Sequence, residues 1–108
     1  MSEVQRAIPM KFADFYSDGR PAISFELFPP RTDRTLAELE ERLPRLVDLG
    51  PSFMTVTYGA LGSTRERTLE VASKIKREHG METAHHLTCV GSNRDEITTI
   101  LELSLIHI

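Results

Sequence analysis

The sequence predicts an α/β fold with a parallel sheet, and three observations predict it. Three short alternating stretches, centred near Phe25, Thr55 and His86, recur every ~30 residues. Each is followed by a segment whose apolar residues fall at helical spacing. Strand and helix alternating at that interval require parallel strands joined by right-handed crossovers.

Residues 1–21 hold an amphipathic piece around Phe12, Phe15 and Tyr16, ended by Gly19 and Pro21. It reads as a leading turn or helix. Ala22 to Phe28 reads as the first strand. Ile23, Phe25 and Leu27 share one face, and Ala22, Ser24, Glu26 and Phe28 share the other. Pro29 and Pro30 stop it, because proline cannot donate to a ladder. Thr35 and Glu38 have the form of a capping box, and Leu36, Leu39, Leu43, Leu46 and Val47 follow at helical spacing. Pro44 falls inside this helix and should kink it, since it removes a bond to Glu40. Gly50-Pro51 ends it.

Phe53 to Tyr58 reads as the second strand, with Met54 and Val56 on one face and Phe53, Thr55 and Thr57 on the other. Gly59 to Gly62 is a loop. Ser63 and Glu66 open the second helix, Leu69, Val71, Ala72 and Ile75 form its buried face, and Gly80 suits the C′ position. Met81 to Val90 reads as the third strand. Leu87 and Cys89 share one face, and Ala84, His86 and Thr88 the other. Asn93 with Glu96 opens a third helix carrying Ile97, Ile100 and Leu101.

A doubly wound sheet and a (β/α)₈ (TIM) barrel both begin this way. Face composition favours the barrel. One face of each strand is aliphatic and suits a ring of helices. The other is smaller and more polar, with Ser24 and Glu26, Thr55 and Thr57, His86 and Thr88. A doubly wound central strand is usually apolar on both faces. In a barrel these polar residues converge on the C-terminal mouth, where such enzymes keep their sites. A barrel needs eight units and ~250 residues, so the expected fold is its first three βα units, truncated.

Composition narrows the function classes. The chain has 108 residues, 40% hydrophobic and 27% charged, with a net charge of -3. No basic cluster interleaved with aromatics supports nucleic-acid binding. Cys89 is the one cysteine, which excludes an internal disulfide and fits a reducing compartment. The N-terminus lacks a signal-peptide core, and no run approaches the ~20 apolar residues of a membrane span. The expectation is a cytoplasmic protein with no membrane and no nucleic-acid partner.

Glu26 is the first candidate functional residue. A lone carboxylate in an apolar strand is costly unless it is paired or can take up a proton. It reads either as a structural carboxylate held by a neighbouring donor or as a general acid that an apolar, ligand-lined pocket helps keep its proton. The turn from Thr57 to Ser63 carries two glycines between strand and helix, so its backbone can approach a ligand closely. It lacks the lysine of a P-loop and the spacing of a dinucleotide fingerprint, so a plain βα turn is the bland reading. Arg65 and Arg67 in the first helical turn read as solvated, or as meeting a phosphate. His85, His86 and Cys89 suggest a metal, but 85 and 86 point to opposite strand faces, as do 86 and 89. Tetrahedral zinc cannot be closed from them locally, and no metal is expected. His86 reads as a hydrogen-bonding partner of a ligand, and His85 as outward packing.

Four motifs in order then resemble one family, methylenetetrahydrofolate reductase. They are S-F-E-L-F-P-P at Ser24–Pro30, V-T-Y-G-A at Val56–Ala60, S-T-R-E-R-T at Ser63–Thr68 and H-L-T-C at His86–Cys89. The resemblance spans about residues 22–101. Leu27, where the family commonly has a second phenylalanine, and Leu61 in the glycine-rich turn are departures. The resemblance implies a (β/α)₈ barrel holding FAD at its C-terminal face, with NADH or NADPH as donor. It implies reduction of 5,10-methylenetetrahydrofolate to 5-methyltetrahydrofolate. Glu26 matches the acid that helps open the folate's imidazolidine ring, Thr57 a position near the nicotinamide, and Tyr58, Ala60 and His86 FAD contacts. Residues that grip the rest of FAD and most of the folate would lie on later strands, and the full-length protein could be a homo-oligomer. The competing reading is a non-catalytic α/β fragment or small-ligand binding module.

The expected division is a leader at 1–21, the first part of the barrel at 22–102, and a foreign tail at 103–108. Leu103–Ile108, L-S-L-I-H-I, resembles the in-frame translation of an adapter used in preparing sequencing libraries. The alternative is an ordinary apolar helix end.

Overall fold

The structure is a computed structural model that describes residues 11–58 and 65–108, the side chains of Arg65 and His107 excepted. The order is a 3₁₀ turn (Phe12–Tyr16), β1 (Ser24–Leu27), α1 (Asp33–Asp48), β2 (Phe53–Val56), α2 (Arg65–His79), β3 (Thr83–His85) and α3 (Arg94–His107). The strands form one parallel sheet in the order β1-β2-β3. Glu26 lies beside Thr55, and Thr55 beside Ala84.

All three strands are shorter than their alternating patterns. β1 keeps four residues of an expected Ala22–Phe28, β2 four of Phe53–Tyr58, and β3 three of Met81–Val90. The ladder sets the limits. Ser52 N donates to the Ile23 carbonyl (2.7 Å), and Thr57 N donates to the Leu27 carbonyl (2.9 Å), closing the β1–β2 pair at both ends. His86 N donates to the Val56 carbonyl (2.9 Å) as the last rung toward β3. Beyond that rung the sequence alternates without a described partner strand, and Leu87–Ser92 leads as loop into α3.

The helices share one face of the sheet. Leu43 of α1, Met54 and Val56 of β2, and Val71, Ala72 and Ile75 of α2 form one buried cluster. Phe25, Leu27, Leu36, Leu39, Leu46 and Val47 pack around it. Ile23, one residue before β1, departs from the expected aliphatic row and is exposed. On the opposite face, Phe53 is buried by the leader. Its ring lies 4.7 Å from that of Phe12 and 5.5 Å from that of Phe15, within the range of favourable aromatic pairs. The leading segment therefore packs on the sheet at the N-terminal end of β2.

The helix ends follow local chemistry, with one correction. α1 begins three residues earlier than Thr35 suggests, because Thr32 is its N-cap. Thr35 N donates to Thr32 Oγ1 (3.1 Å), and Thr32 N donates back to Thr35 Oγ1 (3.2 Å). A threonine hydroxyl thus fills the role sought in Glu38, and its shorter reach is enough at this spacing. α1 also runs through Pro44 to Asp48. Pro44 is exposed, so the interruption falls where water can serve the freed carbonyl. α2 closes on Gly80, at φ 64°, with Met81 N donating to the Ile75 carbonyl (3.5 Å). α3 starts at the expected cap, Glu96 N donating to Asn93 Oδ1 (2.8 Å). The opening of α2 at Ser63 and the loop Gly59–Gly62 lie outside the described residues.

An inter-helix ion pair ties α2 to α1. Lys74 Nζ donates to Glu40 Oε1 (2.5 Å) with both side chains about a third exposed. That hydrogen bond raises the lysine above its ordinary range. Partial burial opposes the shift, and the charges of Glu40, Glu78 and Glu70 add to it. A proton held more tightly in the folded state stabilises that state fully below the ordinary lysine value of about 10.4, and the gain is lost as pH rises through the higher folded value. Urea midpoints should therefore fall above about pH 10 in the wild type, and fall less steeply in Glu40→Gln. Equal slopes in the two proteins would show the pair to be energetically silent.

Candidate functional site

The face away from the helices carries the polar residues. Ser24 and Glu26 of β1, Thr55 of β2 and Ala84 of β3 project from it by strand alternation, and Thr57 and His86 continue it at the C-terminal ends. Pro29 and Pro30 are buried at the end of β1 and turn the chain into α1.

Glu26 and His86 meet on this face. His86 Nε2 lies 3.4 Å from Glu26 Oε1, and the two side chains are 50% and 54% exposed respectively. The apolar surroundings expected of Glu26 are not built by the described residues. The carboxylate stands half open, with an imidazole as its neighbour. Thr57 is half-buried beside them. Its N–H closes the β1–β2 ladder, and its carbonyl accepts from Thr68 Oγ1 of α2 (3.0 Å). Both its backbone groups are thereby engaged, which fixes the strand end from which its side chain projects.

Tyr58 is placed differently. It lines a cavity of about 400 Å³ on the helical side, between the N-terminal turns of α2 and α3. Leu69, Ile100 and Leu103 supply the apolar wall, and Glu66, Asp95 and Glu96 the acidic rim. His85 also reaches this cavity. Its Nδ1 lies 3.1 Å from the His86 carbonyl and its Nε2 2.6 Å from Ser104 Oγ of α3, whose hydroxyl also donates to the Ile100 carbonyl (3.0 Å). His85 is thus the outward-facing residue that strand parity indicates, with a hydrogen-bonding role that parity does not reveal. Ser104, within the segment read as a foreign tail, sits in the continuous helix α3. Ala60 lies outside the described residues. Among those described, no group of three or more His, Cys, Asp and Glu side chains could hold a metal ion, and Cys89 is exposed and unbridged. No helix among them is long and apolar enough to cross a membrane.

The structure therefore brings Glu26, Thr57 and His86 to one face and puts Tyr58 at the edge of another. The Glu26–His86 contact was not foreseen. Its signal was available in parity: both residues belong to the polar faces of their strands. Only the register between strands shows that they come within reach.

Comparison with known proteins gives this arrangement its context. The methylenetetrahydrofolate reductase family matches residues 11–105. The chain is 44% identical to methylenetetrahydrofolate reductase (NADH) 1 of Zea mays over 92 residues, 85% of this chain and 16% of that protein. It is 46% identical to 5,10-methylenetetrahydrofolate reductase of Salmonella typhimurium over 82 residues, 76% of this chain and 28% of that protein. The Escherichia coli protein of the same name is 44% identical over the same shares. The chain thus spans between about a sixth and just over a quarter of the length of these relatives. With nearly the whole chain matched and its open face arrayed as described, it belongs to the methylenetetrahydrofolate reductase family.

Proposed function

We propose that this chain is the first part of a (β/α)₈ barrel enzyme that reduces 5,10-methylenetetrahydrofolate to 5-methyltetrahydrofolate, using FAD and a nicotinamide donor. The observation that carries this reading is the polar face itself. α1 and α2 pack on one side of a parallel sheet, and on the other, beyond the short 3₁₀ turn against Phe53, a carboxylate and an imidazole converge near the strand ends. One-sided cover follows from right-handed crossovers along a monotone strand order, so it is the polarity of the uncovered face that favours a sheet that curls closed over one wound on both sides. The relatives' names support the folate substrate, and the plant proteins carry NADH in theirs.

The residues present fit a flavin. Thr57, half-buried, and the half-exposed His86 imidazole offer hydrogen-bonding groups on the polar face at the strand ends. Bound there, FAD would supply hydride transfer between donor and folate. The chain's own part is to orient the reactants and to hold one proton at Glu26, ready for the folate nitrogen whose bond to the methylene carbon must break.

In the full-length protein, His86→Ala should weaken FAD retention by roughly 0.5–1.5 kcal/mol, the net value of one hydrogen bond. Flavin fluorescence during titration of the apoprotein measures this. Unchanged affinity would assign His86 to packing and remove it from the cofactor site. A full-length wild-type protein that purifies without flavin and fails to take it up would overturn the proposed function as a whole.

A further inference from the structure

We propose that His86 is the positioning residue of Glu26, aligning its carboxyl group through Nε2. This inference rests on the reading of Glu26 as the acid.

β1 and β3 are not neighbours, since β2 lies between them. Two strand spacings separate their backbones by about 10 Å. The side chains between are those of Thr55 and Thr57, short enough for a glutamate and a histidine to meet above them. The contact at 3.4 Å is therefore made by two extended side chains reaching toward each other. Neither is held by burial. Among the described residues, His86 is the side chain within polar reach of Glu26. An exposed glutamate otherwise samples several rotamers, at an entropic cost whenever one must be selected. An imidazole on a residue whose backbone is tied to β2 at the end of β3, 3.4 Å away, favours the rotamer that lies along the sheet. The separation exceeds that of a tight charge-assisted bond, as contacts in ligand-free sites often do before they close. Imidazole has two nitrogens. Nε2 faces Glu26, so Nδ1 stays available for a ligand, and alignment of the acid and contact with a cofactor use different atoms.

The two nitrogens can be separated by substitution. Glutamine places its amide nitrogen near the position of Nε2, and asparagine near that of Nδ1. In the full-length enzyme, with FAD saturating, the rate of folate reduction is divided by the rate of flavin reduction by the nicotinamide donor. That ratio should fall by up to roughly 10² in His86→Asn, the cost of misplacing a catalytic group by about 1 Å. His86→Gln should bring it back to within a few-fold of wild type. In a Glu26→Gln background, His86→Asn should add no further loss. A second readout needs no activity. In flavin-free full-length protein labelled with ¹⁵N-histidine, Glu26→Gln should move the His86 Nε2 resonance far more than Nδ1. Equal ratios in the asparagine and glutamine variants would overturn the positioning role, as would an unmoved Nε2 resonance. If wild type neither binds FAD nor reduces the folate, the proposed function fails instead, and the resonance shift still reports whether the contact exists.

Discussion

Replacing Glu26 by glutamine in the full-length enzyme is expected to slow reduction of methylenetetrahydrofolate by roughly 10²–10⁴, the usual share of general acid catalysis. The substitution keeps shape and polarity and removes the titratable proton. Flavin reduction by the nicotinamide needs no acid at the folate, so that half-reaction should survive nearly intact. Stopped-flow flavin absorbance follows each half separately. Misfolding would slow both half-reactions, so a loss confined to folate reduction reports the missing acid. If both halves slow equally, Glu26 tunes the flavin or the fold. If neither slows, it is a bystander on an exposed strand face.

The largest stability effect should come from Ile75. It is fully buried on α2, in one cluster with Met54, Val56, Val71, Ala72 and Leu43. α2 is the middle helix of the three and contacts α1, α3, β2 and β3. A side chain there has neighbours on every side and little room to collapse around a void. Ile75→Ala should therefore cost about 2–5 kcal/mol, and Ile75→Val about 0.5–1.5 kcal/mol. Urea unfolding of the full-length protein, followed by far-UV circular dichroism, measures both. An alanine variant no less stable than the valine variant would show that the cluster is loosely packed.

Much of the fold was legible because period and punctuation agree. Leu36 to Val47 and Leu69 to Ile75 mark amphipathic helices, and Asn93 and Gly80 mark ends where the structure has them. The misplaced start of α1 has a local cause. The capping pattern sought a glutamate, and Thr35 closed the box instead. The overlong strands have a non-local one. Alternation in Met81–Val90 records which way side chains point, whereas a strand also needs a partner's carbonyls, and the last rung to β2 is at His86.

The candidate site divides in the same way. Strand parity alone put Glu26, Thr57 and His86 on polar faces, and motif order alone indicated the family. Neither could show that His86 reaches Glu26 across β2, nor that Tyr58, one residue beyond Thr57, lies at a cavity beside α3. The physical reason is that parity and periodicity belong to one segment, set by φ and ψ. Distances between segments depend on register, crossover length and the bulk of what lies between. Here the small side chains of Thr55 on β2 and Thr57 just beyond it leave room for an acid on β1 and an imidazole at the end of β3 to approach.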